Sequence, residues 1–87
     1  MDENILRKLE QKIQDTVSNK DEIKQLFESL STIDSSKSFV LGIAVGRIYN
    51  AFFYQSKRIL NREPTKQEFE EFLEFVKTKK SYLDNLW

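Results

Sequence analysis

The sixteen residues from Phe39 to Tyr54, FVLGIAVGRIYNAFFY, carry only two strongly polar side chains, Arg47 and Asn50. This is the one long apolar run in the chain, and any fold must find cover for it. A half-buried strand alternates apolar with polar residues. Here Phe39, Leu41, Ile43 and Val45 occupy one parity, while Val40, Ala44, Ile48 and Phe52 occupy the other. The run is also long for a strand and contains no proline, so it reads as helix. Ser35 and Ser36 upstream are good N-cap residues. Downstream, Ile59 and Leu60 stand among polar residues until Pro64 disfavours the helical region for Glu63. The expectation is one helix over about 36–62, roughly 40 Å long.

A helix apolar on all sides either crosses a membrane or is packed on several sides. Arg47 in the middle of the run argues against a span, because a charge at the bilayer centre costs about 2.5 kcal/mol or more. The flanks are charged as well, so a buried helix with no membrane span is expected.

Gly42 and Gly46 are the two glycines of the chain. Each costs about 1 kcal/mol against alanine in a helix interior. Spaced by four, they share a face with Ser38 and Asn50 and cut a shallow groove. Two readings stay open: close approach of another backbone, as in small-xxx-small crossings, or a bulky Phe of a neighbouring helix filling the notch.

Eighty-seven residues make one domain, 1–87, with a modest core that oligomerisation would help to stabilise. Eleven aromatics and 39% hydrophobic residues argue against disorder. Two Gly and one Pro favour long helices over a sheet of many turns. Zero Cys removes disulfides, thiolate metal sites and cysteine nucleophiles, and zero His removes the usual general base and commonest metal ligand. The opening MDENILRKLEQ is charged and lacks a signal-like apolar core, so a cytoplasmic location is expected.

The net charge of zero is unevenly spread. Residues 1–36 hold five basic and eight acidic side chains, net −3; residues 37–66 hold six and one, net +5; residues 67–87 hold three and five, net −2. A basic centre between acidic ends suggests internal pairing, and it is poor support for a nucleic-acid protein with an overall basic footprint.

Three further helices flank the central one. The first, from Asp2 or Glu3 to Val17, carries Ile5, Leu6, Leu9, Ile13 and Val17 on one stripe. The second, from about Lys20 to Ile33, carries Ile23, Leu26, Phe27, Leu30 and Ile33, with Asn19 and Glu22 as its capping pair. Asp34, Ser35 and Ser36 form the next turn. After Pro64, Thr65 and Glu68 form a capping box that starts a helix from Lys66 to at least Lys79, or on to Leu86. Its stripe is Phe69, Phe72, Leu73 and Val76, extended by Leu83 and Trp87. The fold class is therefore all-α: a small four-helix bundle around the central helix, with helices 3 and 4 as an antiparallel hairpin.

Arg47 needs a partner if buried. Asp15, Glu28 and the Glu68–Glu74 group are candidates for a structural ion pair. The alternative is an anchor for an anionic ligand, with Asn50 nearby and Tyr54 on the same face two turns on. A second basic set, Tyr54, Lys57, Arg58, Arg62 and Lys66, could contact nucleic-acid phosphates and stack on a base. It could equally compensate the helix dipole and pair with the acidic start of helix 4.

The run Glu68, Glu70, Glu71 and Glu74 reads as a solvated face. No phosphate loop, dinucleotide fingerprint or nucleophile elbow is present. Phe75, Tyr82 and Leu86 fall outside the main stripe of helix 4 and form a second apolar edge. The expectation is a small non-catalytic interaction module without metal or cofactor. It is expected to be homodimeric, or to bind another protein, through Gly42, Gly46, Phe75, Tyr82 and Leu86. The alternative is a nucleic-acid-binding accessory.

Overall fold

The computed structural model describes residues 1–30 and 36–84. It is an all-α fold of five helices among those residues: α1 (Glu3–Ser18), α2 (Lys20–Ser29), α3 (Ser36–Leu60), α4 (Lys66–Thr78) and α5 (Lys80–Asp84). The particle measures 40 × 22 × 22 Å. Twenty-five residues at 1.5 Å each give α3 a length of about 37 Å, so this helix runs the whole long axis. Ile33, expected in the second helix, Asp34 and Ser35 of the expected turn, and the end of the chain, including Leu86 and Trp87, lie outside the described residues.

Two rows of side chains spaced by four organise α3. Val40, Ala44, Ile48, Phe52 and Ser56 are each 1% exposed or less. Ser38, Gly42, Gly46, Asn50 and Tyr54 are all exposed. A two-residue offset turns a helix by about 200°, so the rows lie on opposite sides at every level. α3 is thus buried along one winding ridge and open along the other. Among the described residues no helix is long and apolar enough to cross a membrane.

α1 packs most extensively on α3. Asp2 caps it, its carboxylate accepting from the N–H groups of Asn4 at 2.8 Å and Ile5 at 3.1 Å. Ile5, Leu9, Ile13 and Thr16 face the core, with Leu6 and Val17 half-buried beside them. The buried hydroxyl of Thr16 donates to the Lys12 carbonyl at 2.7 Å, which satisfies it without an outside partner.

α2 departs from expectation in two ways. The Asn19 side chain makes no cap hydrogen bond; its backbone instead closes α1 by donating to Asp15 and Thr16, and opens α2 by accepting from Glu22 and Ile23. The expected stripe is also only half used. Ile23 is buried and Phe27 half-buried against Phe39, with ring centroids 5.8 Å apart, while Leu26 and Leu30 are about half exposed. α2 ends at Ser29, so it meets α3 over barely three turns.

α3 ends at Leu60, two residues earlier than expected. Asn61 adopts φ 58° and donates its N–H to the Lys57 carbonyl. Asn tolerates this left-handed conformation and terminates the helix before Pro64 acts. The turn then returns the chain antiparallel, and α4 packs on α3 through aromatic rings. Phe52 and Phe72 stack with centroids 4.4 Å apart and planes at 11°. Tyr49 reaches both Phe69 and Phe72.

The expected fourth helix is broken at Lys79, which separates α4 from α5. The Thr78 hydroxyl donates to the Phe75 carbonyl at 2.6 Å, and the Lys79 N–H donates to Val76. Both bonds compete with continued α-helical pairing. The break turns Leu83 into the core. It accompanies a rotation of the α4 stripe: Phe75, assigned above to an exposed edge, is buried, and Leu73, assigned to the core, is 42% exposed. The stacking of Phe72 on Phe52 centres the buried face near Phe72, which brings in Phe75 one turn on and tips Leu73 out.

Phe75→Ala should therefore cost about 3–5 kcal/mol in urea unfolding. Leu73→Ala should stay within about 0.5 kcal/mol. The reverse order would restore the stripe read from the sequence.

Candidate functional site

Four surfaces bear the described residues singled out in the sequence. On the open ridge of α3, a Cβ built on Gly42 or Gly46 meets nothing within 4 Å. Among the described residues, then, no Phe of a neighbouring helix fills the notch. The groove continues as an open hollow of about 370 Å³ lined by Gly46, Tyr49, Asn50 and Phe53. Tyr49 is 43% exposed despite its ring contacts with Phe53, Phe69 and Phe72. Sequence reasoning missed Tyr49 and Phe53 as neighbours of the glycines. Their spacing of three and seven from Gly46 was the available signal.

The described residues of the second expected part, Phe75 and Tyr82, do not line this hollow. Phe75 is buried. Tyr82, about half exposed, instead lines a cleft of about 530 Å³ with Glu10, Ile13, Gln14, Thr78, Lys79 and Ser81. The Lys79 ammonium lies 5.6 Å from the Phe75 ring centre and 3.9 Å from Glu10.

At the C-terminal end of α3 most of the expected basic residues are engaged within the chain. Arg62 grips Glu68 with two nitrogens, at 2.6 and 3.2 Å, and also donates to the Glu63 carbonyl. Glu68 in turn accepts from the Thr65 N–H at 2.8 Å, while its own N–H donates to the Thr65 hydroxyl at 3.1 Å. One carboxylate thus holds both the cap of α4 and the end of the interhelical turn. Lys57 lies 3.6 Å from Glu63, and Arg58 donates to the Gln55 side-chain oxygen at 2.9 Å. Lys66 is exposed.

Arg47 is half-buried and pairs with none of the acids considered for it. Glu68 is held by Arg62, Glu71 by the amino terminus at 2.9 Å, and Glu74 by Lys77 at 3.0 Å. Arg47 instead borders a small hollow of about 220 Å³ with Lys12, Asn50, Ala51, Tyr54 and Gln55. Its expected neighbours Asn50 and Tyr54 are there. Lys12, brought by α1, was missed; it sits between Leu9, Ile13 and Thr16 at the margin of the α1 stripe. Among the described residues no three acidic side chains converge on a point that could hold a metal ion.

No family model, curated protein or solved structure matches the chain.

The Arg62 hydrogen bond, and after it the Thr65 backbone N–H, hold the Glu68 carboxyl at about 2, below its ordinary 4.5. Because the folded value is the lower one, this stabilisation is fully present above about pH 4.5 and is lost as the pH falls towards 2. The pair is at the surface, so salt weakens it. The stability advantage of the wild type over Glu68→Gln should shrink across that acid range and be level near neutrality. Thr65→Ala, which loses the cap, should cost about 1 kcal/mol in urea unfolding at neutral pH.

Proposed function

We propose that the chain is a non-catalytic helical interaction module that self-associates through the open ridge of α3. One observation carries this reading. Two glycines stand in the middle of the longest helix, each at a cost of about 1 kcal/mol, yet nothing in the described structure approaches closely enough to require either of them. A second copy laid along the ridge supplies the reason, since glycine lets helix backbones come close.

The face is suited to its own copy. It is uncharged from Ser38 to Phe53, since Arg47 lies about 100° round the helix from Gly46. It also has a small end (Ser38, Gly42) and an aromatic end (Tyr49, Phe53). In a two-fold pair the same patch must complement itself. An antiparallel crossing near Val45 and Gly46 sets Tyr49 level with Gly42 of the second copy, and Phe53 level with its Ser38. Phe75, being buried, drops out of the proposed interface. The nucleic-acid alternative is weakened by the engagement of Lys57, Arg58 and Arg62 within the chain.

Sedimentation across the micromolar range should show a monomer–dimer equilibrium. The Gly42→Ala, Gly46→Ala double variant should stabilise the dilute monomer by about 2 kcal/mol through helix propensity alone, and should weaken the dimer. A wild type that stays a compact monomer throughout, or a double variant that dimerises as tightly, would remove the proposal.

A further inference from the structure

We propose that the hollow between α1 and α3, bordered by Lys12, Arg47, Asn50, Ala51, Tyr54 and Gln55, binds the phosphate group of a small phosphate monoester. The first ground is charge. Two cations from different helices, Lys12 and Arg47, border one hollow. Neither side chain takes part in an ion pair or hydrogen bond among the described residues. Five other cations, Lys57, Arg62, Lys77, Lys79 and Lys80, have a carboxylate within 4 Å. Among the described residues no carboxylate borders this hollow, so the two positive charges there are open to an anion from outside.

The second ground is the orientation of the neutral groups. The Gln55 side-chain oxygen already accepts from Arg58 at 2.9 Å, which leaves its NH₂ as the group free to donate. Asn50 brings a second amide, and Tyr54 a phenol. A guanidinium, an ammonium, two amides and a hydroxyl are a donor-rich set, matched to an acceptor with several oxygens. The planar fork of arginine suits phosphate in particular. Ala51, buried beneath them, forms a small uncharged floor.

The third ground is size. At about 220 Å³ the hollow falls below the ~300 Å³ at which pockets for whole drug-sized ligands begin. It takes the phosphate and leaves the remainder of the ligand outside. Tyr54 stands at the rim, 61% exposed, and offers an aromatic face on which a planar group can stack. α1 and α3 are the most extensively packed pair in the fold, so the two cations are held on a firm base. The site needs no second copy of the chain and does not rest on the self-association proposed above.

The test is an NMR titration at low salt with inorganic phosphate, and separately with adenosine 5′-monophosphate. The expected result is saturable shifts centred on the amides of Asn50, Gln55 and Arg47. Arg47→Met should weaken binding by about tenfold or more, the scale of one lost charge-assisted bond. Lys12→Met, on the other helix, should act in the same direction, and it keeps the test open if the first variant fails to fold. Lys66→Met, exposed and outside the hollow, should leave affinity within about twofold, since a distant surface charge is largely screened. Tighter binding of the nucleotide that Tyr54→Ala abolishes would identify an organic monoester as the ligand. Equal binding of both probes would point to free phosphate and overturn the monoester assignment. Absence of saturable shifts, or equal losses in all three charge variants, would overturn the site. So would shifts with a single-stranded oligonucleotide that extend over Lys57, Arg58 and Lys66 and exceed those with either small probe.

Discussion

Cover for α3 is the constraint on which the rest of the structure depends. At about 37 Å the helix is nearly as long as the 40 Å particle, and the other elements are each too short to cover it alone. The fold meets this by burying one ridge, Val40 to Ser56, which winds around the helix because a spacing of four residues overshoots a turn by about 40°. α1 and the shorter α2 serve as cover on one side, and the rings of α4 on another. The gain is large: burying a single side chain of this class is worth about 1.5–3 kcal/mol, and most of the core is built this way.

The aromatic contact between α3 and α4 does more than fill space. Phe72 lies flat on Phe52, which is 1% exposed, and this contact sets the rotation of α4 about its own axis. From that rotation follow the burial of Phe75, the exposure of Leu73 and the direction in which the chain leaves at Lys79. The turn before α4 is fastened independently by Glu68, which serves Thr65 and Arg62 at once. A surface ion pair is worth little alone. Here it is joined to a helix cap, so the same carboxylate acts on both the start of α4 and its link to α3.

Function, on the reading proposed here, is divided between the two sides of α3. The open ridge with its glycines is uncharged and shaped for a like surface. The flank facing Lys12 collects positive charge and hydrogen-bond donors. Asn50 borders both hollows, so the two surfaces adjoin.

Much of this was legible in the residues. The all-α class, the central helix, the apolar face of α1 and the capping box at Thr65 and Glu68 rest on local rules: periodicity, and hydrogen bonds between residues three or four apart. Even the two ridges of α3 are written in the order of residues, Val-Ala-Ile-Phe-Ser on one and Ser-Gly-Gly-Asn-Tyr on the other. What local rules could not decide was anything that depends on a neighbour's position. Leu73 and Phe75 flank the same face of α4, and only the stack on Phe52 chose between them. The reach of Arg47 was known, but not that Glu68, Glu71 and Glu74 would be taken by other cations, nor that α1 would carry Lys12 alongside it. Composition and spacing settle which helices form, because those energies lie within a few residues. The rotation of each helix, and so which side chains share a hollow, is settled only when non-local packing sums over the whole chain.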